Sequence, residues 1–265
     1  MKIPLAVATV ILSCGLAATL PAATPFFAQT YEGNSQLFLV DPDTGASSLV
    51  GATGVNGMTD LAITSAGQLF GANLTSFYSI DTGTGSATLI GNFGTTTSMV
   101  GLDVASDGRF YGVEAGGGLF RVDAGTGAAT LLFGTPFFYG GDVTHFSGDI
   151  FYAAAFVGGG TNLIEINAGT STAVDLGQIA LDVIPGLDFD INGRLVACAA
   201  SGKFYEIPNF ASSGAGVLLS VSAVGTAGVT TVPVPEPSVA ALFLIGALGA
   251  TSRVGARKTA DPANR

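Results

Sequence analysis

One hairpin-like segment recurs along this chain, and it restricts the fold more than any other feature. LFLVDPDTGASSLVG (37–51), FYSIDTGTGSATLIG (77–91), LFRVDAGTGAATLLFG (119–134) and LIEINAGTSTAVDLG (163–177) share one pattern, and FYEIPNFASSGAGVLLS (204–220) is a degraded fifth copy. With Asp41, Asp81, Asp123, Asn167 and Pro208 as markers, the steps are 40, 42, 44 and 41 residues. Each copy alternates apolar residues, turns through Gly, Thr and Asp, and resumes as a second strand, which is the signature of a β-hairpin. The Asp or Asn before the turn is suited to accept backbone N–H groups across it.

A second hairpin lies between these: DLAITSAGQLFGA (60–72), LDVASDGRFYGV (102–113), DVTHFSGDIFYAA (142–154) and LDFDINGRLVACA (187–199). Two hairpins per period of about 40 residues make a four-stranded unit, the size of a propeller blade. The region before Gly51 supplies only three strands, matching the last three of a blade. AGVTTVPV (227–234), after the fifth hairpin, can supply the missing innermost strand. The expectation is an all-β, five-bladed β-propeller over residues 25–233, closed by a 3+1 strand arrangement that ties the chain ends together and removes free sheet edges. The blades resemble the bacterial propeller repeats of the NHL and YVTN types. That resemblance implies a fold and a tendency to bind, since such blades host unrelated functions.

Charge narrows the partners. Four cations and seventeen carboxylates between residues 24 and 233 leave the body at −13, although the whole chain carries −10. Such a surface repels a polyanion, so nucleic acid is excluded as a partner. Of the two cysteines, Cys14 lies in the N-terminal leader and Cys198 stands alone, so neither a disulfide framework nor a cysteine-based metal site can be built.

The candidate chemistry is sparse. Asp103, Asp142 and Asp188 fall at matching places on the innermost strands by sequence alignment, with Asp60 two residues away on the same strand face. Carboxylates converging on one axis either hold a cation, of which calcium is the natural choice, or accept backbone donors of the next blade. No other cofactor is expected. Asp188–Gly193 matches the first half of a calcium loop, but Ala199 stands where the bidentate Glu should be. His145 is the single histidine, without a second His or a Cys for zinc, and no G-x-S-x-G nucleophile elbow occurs. Phe137, Phe138 and Tyr139 sit in a loop between blades, where aromatic faces would suit a sugar or would pack on the neighbouring blade. The chain is therefore expected to bind or to build rather than to catalyse. A metal-dependent propeller enzyme is the alternative.

The two ends read as addresses. Residues 1–23 have the order of a secretory signal: Lys2, an apolar run from Ile3 to Leu12, then small residues up to Ala23. This implies the Sec translocon as a partner. Ile11–Cys14 also resembles a lipobox, which would leave a lipidated Cys14 at the mature N-terminus. Residues 234–258 read VPEPSVAALFLIGALGATSRVGARK. As a helix, Ser238 to Ser252 rises about 22 Å, short of the roughly 30 Å hydrocarbon core, and Arg253, Arg257 and Lys258 should stay cytoplasmic. This order of Pro235-Glu236-Pro237, short apolar transmembrane helix and basic tail resembles the PEP-CTERM sorting signal. The resemblance implies recognition by an exosortase, a membrane cysteine peptidase, and transient residence in the inner membrane. The helix and the 259–265 tail would be removed, giving an extracellular or cell-surface protein associated with extracellular polysaccharide.

Overall fold

A computed structural model describes residues 25–31, 33–94 and 98–233. Residues 1–24, expected to hold a secretory leader, and 234–265, expected to hold a sorting signal, lie outside the described residues. Twenty strands form five four-stranded antiparallel sheets, and the described residues contain no helix. The chain opens with β1 (Phe26–Gln29), β2 (Asn34–Val40) and β3 (Ser47–Asn56). Blade 1 is β4 (Met58–Ile63), β5 (Leu69–Asn73), β6 (Ser76–Ile80) and β7 (Ala87–Asn92). Blade 2 is β8 (Met99–Val104), β9 (Phe110–Glu114), β10 (Gly118–Val122) and β11 (Ala129–Gly134). Blade 3 comprises β12 (Tyr139–Ser147), β13 (Ile150–Val157), β14 (Gly160–Asn167) and β15 (Thr172–Ala180). Blade 4 comprises β16 (Gly186–Phe189), β17 (Leu195–Cys198), β18 (Lys203–Glu206) and β19 (Val217–Val221). Last comes β20 (Gly228–Thr231), which pairs antiparallel with β1 from Phe26↔Thr231 to Gln29↔Gly228. The fifth sheet has the order β20-β1-β2-β3, so the ring closes 3+1 with the last strand innermost, as the strand count requires.

Period-2 patterning explains the packing. In β13, β14 and β17 nearly every position is buried, because a blade is covered on both faces by its neighbours. The outermost strands alternate or face solvent. Five clusters of buried apolar side chains result, one between each pair of adjacent blades. Phe77, Phe93 and Phe110, for example, join blades 1 and 2.

The repeated turn is pinned as its residues dictate. Asp81 Oδ1 accepts the backbone N–H of Gly83 (3.0 Å) and Thr84 (2.8 Å), and Asp123 Oδ1 does the same for Gly125 (3.1 Å) and Thr126 (2.9 Å). These donors, led by the Thr84 and Thr126 hydroxyls, hold both carboxyls below their ordinary value. The glycines that end the first two of these hairpins, Gly51 and Gly91, have a matching purpose. A Cβ on Gly51 would collide with the Thr84 carbonyl of the next blade's turn, and one on Gly91 with that of Thr126. Backbone approaches backbone there, which only glycine permits.

Candidate functional site

The innermost strands β4, β8, β12, β16 and β20 surround the axis, all running from an upper to a lower face. Their upper ends meet around a hollow of about 320 Å³ lined by Thr59, Val100, Gly141, Pro185 and Ala227. Their lower ends surround a depression of about 250 Å³ lined by Asp103, His145, Asp188 and Thr231.

Four aspartates line the axis on two levels. Pairing places Asp103 opposite Tyr111, Thr144 opposite Tyr152 and Asp188 opposite Val196, so Thr144 occupies the level of Asp103 and Asp188. Asp142 lies one level higher, with Asp60. This corrects the sequence alignment that set Asp142 beside Asp103 and Asp188. The cause is a bulge between His145 and Ser147, after which β12 reaches β13 through the tight Gly148–Asp149 turn. Counting back from the turn glycine therefore lands on another level.

Each carboxylate latches two strands. Asp60 accepts the N–H of Leu61 on its own strand (2.8 Å) and of Leu102 on the next blade (2.6 Å). Asp103 accepts from Val104 (2.6 Å) and His145 (2.6 Å), Asp142 from Val143 (2.6 Å) and Leu187 (2.9 Å), and Asp188 from Phe189 (2.7 Å) and Thr231 (2.7 Å). Thr144 Oγ1 also donates to Asp188 (3.0 Å). Four of the five blade interfaces thus carry a carboxylate latch. The fifth, from β20 to β4, has Gly228 and Thr230 at the equivalent positions and is bridged by Gln29 Nε2 donating to the Met58 carbonyl (3.3 Å).

Burial pushes all four carboxyls above their ordinary value, Asp60, Asp103 and Asp142 well above it. Asp60 and Asp142 come within reach of one another across the axis, where the charge of Asp60 adds to burial in raising Asp142. A Cβ on Gly228 would strike Asp60 Oδ1, and one on Gly101 would crowd the Val143 N–H at 2.8 Å. Glycine at those positions leaves room for the two carboxyls. Among the described residues no group of three His, Cys, Asp or Glu side chains has metal-binding geometry.

The other candidates have local partners. Asp190 accepts the N–H of Asn192 (2.8 Å) and Arg194 (2.8 Å), and its Oδ2 receives Arg194 Nε (2.7 Å), so this loop is closed by protein groups. His145 Nε2 lies 3.0 Å from the Gly148 carbonyl, with its ring against Phe151. The buried Cys198 thiol is pushed up to about 12 by desolvation and receives the Thr226 hydroxyl.

Phe137, Phe138 and Tyr139 divide. Tyr139 is buried, its hydroxyl 2.9 Å from Thr135 Oγ1, and Phe137 packs against the cluster between blades 2 and 3. Phe138 is 68% exposed on the upper face. Beside it stand residues the sequence reading passed over: Phe156 on the β13–β14 hairpin, and Leu181 and Val183 in the loop entering β16. The available signal was the longest repeat step, 44 residues from Asp123 to Asn167. Pro235, Glu236, Pro237, Arg253, Arg257 and Lys258 lie outside the described residues.

No protein-family model matches this chain, and no curated protein matches it. Solved structures do. A chain of a nidogen–laminin complex superposes with a TM-score of 0.53 at 16% identity, covering 74% of this chain and 78% of that one. A symmetrical protein from work on de novo evolutionary emergence gives 0.51 at 20% identity, over 80% of this chain and 100% of its own. A gluconolactonase from Xanthomonas campestris gives 0.51 at 14% identity, over 80% and 84%. At such identities the likeness establishes the propeller fold alone.

Proposed function

We propose that this chain is an exported, exosortase-sorted propeller that acts by binding or by structure, in association with extracellular polysaccharide. The observation that carries this reading is where the ring closes. All twenty strands fall between Phe26 and Thr231, and Val232 N–H donates to the Pro25 carbonyl (3.1 Å), so both chain ends leave the lower face side by side. Removing residues 1–23 and everything after about Pro237 takes no strand from the ring. In this reading the Sec translocon delivers the body, the apolar run holds it at the inner membrane, and cleavage beside Pro235–Pro237 releases it. The lower-face turns carry Asp41, Asp81, Asp107, Asp123 and Asp149, a surface that an anionic bilayer repels once the anchor is cut. The axial aspartates already accept backbone donors, which favours a scaffold over a reaction centre.

Mass spectrometry of the exported protein, from hosts with and without an exosortase, tests this. The expected product lacks residues after about Pro237 and leaves the membrane only when the peptidase is present. An intact Arg253–Arg265 in the exported form would refute it. A second reading rests on Asp103 and Asp188 lining the lower depression: a calcium ion there would make the protein a metal-dependent binder or enzyme. Calorimetric titration with calcium decides it. The mass of the mature N-terminus decides lipidation at Cys14.

A further inference from the structure

Equal repeats have equal structural needs, so the residues that one blade carries beyond its sisters are the ones to question. Blade 3 is that blade. Its middle strands run 8 residues each, where those of blades 1 and 2 run 5. The excess rises at the upper face, where β13 and β14 stay paired out to Val157↔Gly160 and turn through Gly158 and Gly159, both at positive φ (60° and 89°). Phe156 N–H donates to the Phe138 carbonyl (2.9 Å), tying this hairpin to the loop before β12. The Phe156 ring lies across Gly140, where a Cβ would run into it.

Between the hairpin and the loop before β16 is a cavity of about 350 Å³ lined by Phe156, Gly158, Gly159, Leu181, Asp182 and Val183. Leu181 is 81% exposed at its rim. The one carboxylate, Asp182, is already paired with Lys203 Nζ (2.9 Å) and the Tyr205 hydroxyl (2.6 Å). Because Phe156 lines this cavity and also covers Gly140 of the axial hollow, the two hollows share a wall.

We propose that this groove binds an uncharged polysaccharide chain. The Phe156 ring and the Leu181 and Val183 side chains offer flat and aliphatic surface to the C–H faces of sugar rings. Gly158 and Gly159 have open space where side chains would stand, which leaves their backbone polar groups reachable by hydroxyls. The groove's one nearby cation is committed to Asp182, and a body at −13 repels an anionic polymer. An extended peptide would need a free sheet edge, but β13 and β14 are flanked by β12 and β15.

This rests on the reading of the protein as a polysaccharide-associated component, and one sample tests both. The exported protein is run in native gels containing dextran, hydroxyethylcellulose or galactomannan, with alginate as the anionic contrast. Retardation by at least one neutral polymer is expected. In the double variant Leu181→Ser/Val183→Ser, whose side chains line the cavity and are exposed, affinity should fall at least about tenfold at unchanged melting temperature. No retardation, retardation by alginate alone, or an undiminished variant would each overturn the site. So would a concentration-dependent dimer in light scattering that the variant abolishes, since the occupant would then be a second copy. The C-terminal mass of the same sample separates the failures. A cleaved protein that binds no glycan sinks the groove and leaves sorting intact, whereas an uncleaved protein that binds sinks sorting alone.

Discussion

Replacing Asp142 by Asn separates the two duties of the axial pair, because Asn keeps the shape and loses both one acceptor and the titration. In the native ring the two oxygens of Asp142 accept Val143 N–H and Leu187 N–H while the carboxyl also comes within reach of Asp60. The amide can donate to Asp60 and accept one of those N–H groups. The other is orphaned in a buried site, at a cost of about 1–3 kcal/mol. For a body of this size, each kcal/mol corresponds to about 2–4 °C in melting temperature. The pH dependence then discriminates. Burial raises the folded carboxyls above the unfolded value near 4, so between the two values the native state holds a proton that the unfolded chain has released. Wild-type stability therefore falls as pH rises through that window, by up to about 1.4 kcal/mol per pH unit for one proton, and levels off above it. The Asn variant loses the Asp142 share of this slope, while Asp60, Asp103 and Asp188 keep theirs. Urea unfolding from about pH 4.5 to pH 9 should show wild type ahead by about 1–3 kcal/mol at the acid end, with the gap shrinking as pH rises. A gap that stays constant or widens with pH would refute a raised Asp142 carboxyl at the axis. A wild type that recovers its stability at high pH on adding calcium would put a cation there instead.

Deleting β20 (Gly228–Thr231) should lower the melting temperature by more than about 10 °C, because it strips β1 of its ladder and orphans the Asp188 latch; calorimetry showing no change would refute the closure. Arg194→Ala should cost about 1–3 kcal/mol in chemical denaturation, since Arg194 joins blade 4 to the closing blade through Asp43 (2.9 and 3.1 Å) while holding Asp190 (2.7 Å). Gly91→Ala should destabilise by at least about 2 kcal/mol, because its Cβ has no room beside the Thr126 carbonyl; a neutral effect would show that the blades slide past one another freely.

The fold was legible because it is written several times. Each repeat carries the alternation of a half-buried strand and a turn whose Asp and Gly have one backbone geometry to satisfy, so five imperfect copies reinforce one another. The closing strand was legible by subtraction, from a first blade one strand short. The axis was only half legible. Sequence placed aspartates on innermost strands, but the level of each depends on the turn that follows, and the bulge at His145/Ser147 brings Thr144 rather than Asp142 to the level of Asp103 and Asp188. The contact between Asp60 and Asp142 crosses the ring between blades that are not neighbours, and no local pattern encodes it. Of the aromatic trio, composition could not say which ring faces out: Tyr139 begins a strand and is buried, while Phe138 one residue earlier is not. Phe156 was missed for the converse reason, since an apolar strand in a blade is expected to be core.

The one interface without a carboxylate latch borders the blade where the ends of the ring emerge. Four interfaces are fastened by a carboxylate that bridges two strands, whereas the fifth, between the closing blade and blade 1, relies on Gln29 and on the apolar cluster of Phe27 and Leu37 with Met58, Leu61 and Leu69. A fifth carboxylate at the Gly228 level would face Asp60 and Asp142 in a space that already holds two buried carboxyls, so repulsion and crowding both oppose it. Chain connectivity supplies what that latch cannot, because β3 of the closing blade runs into β4 of blade 1 through the single residue Gly57. The arrangement makes order of folding matter: the closing blade forms last, after the C-terminal strand has been delivered, and loop-closure entropy is met in that single step. If so, single-jump refolding should show the four latched blades protected from hydrogen exchange before β1 and β20. Simultaneous protection of β1 with β4 and β8 would refute closure as the final step.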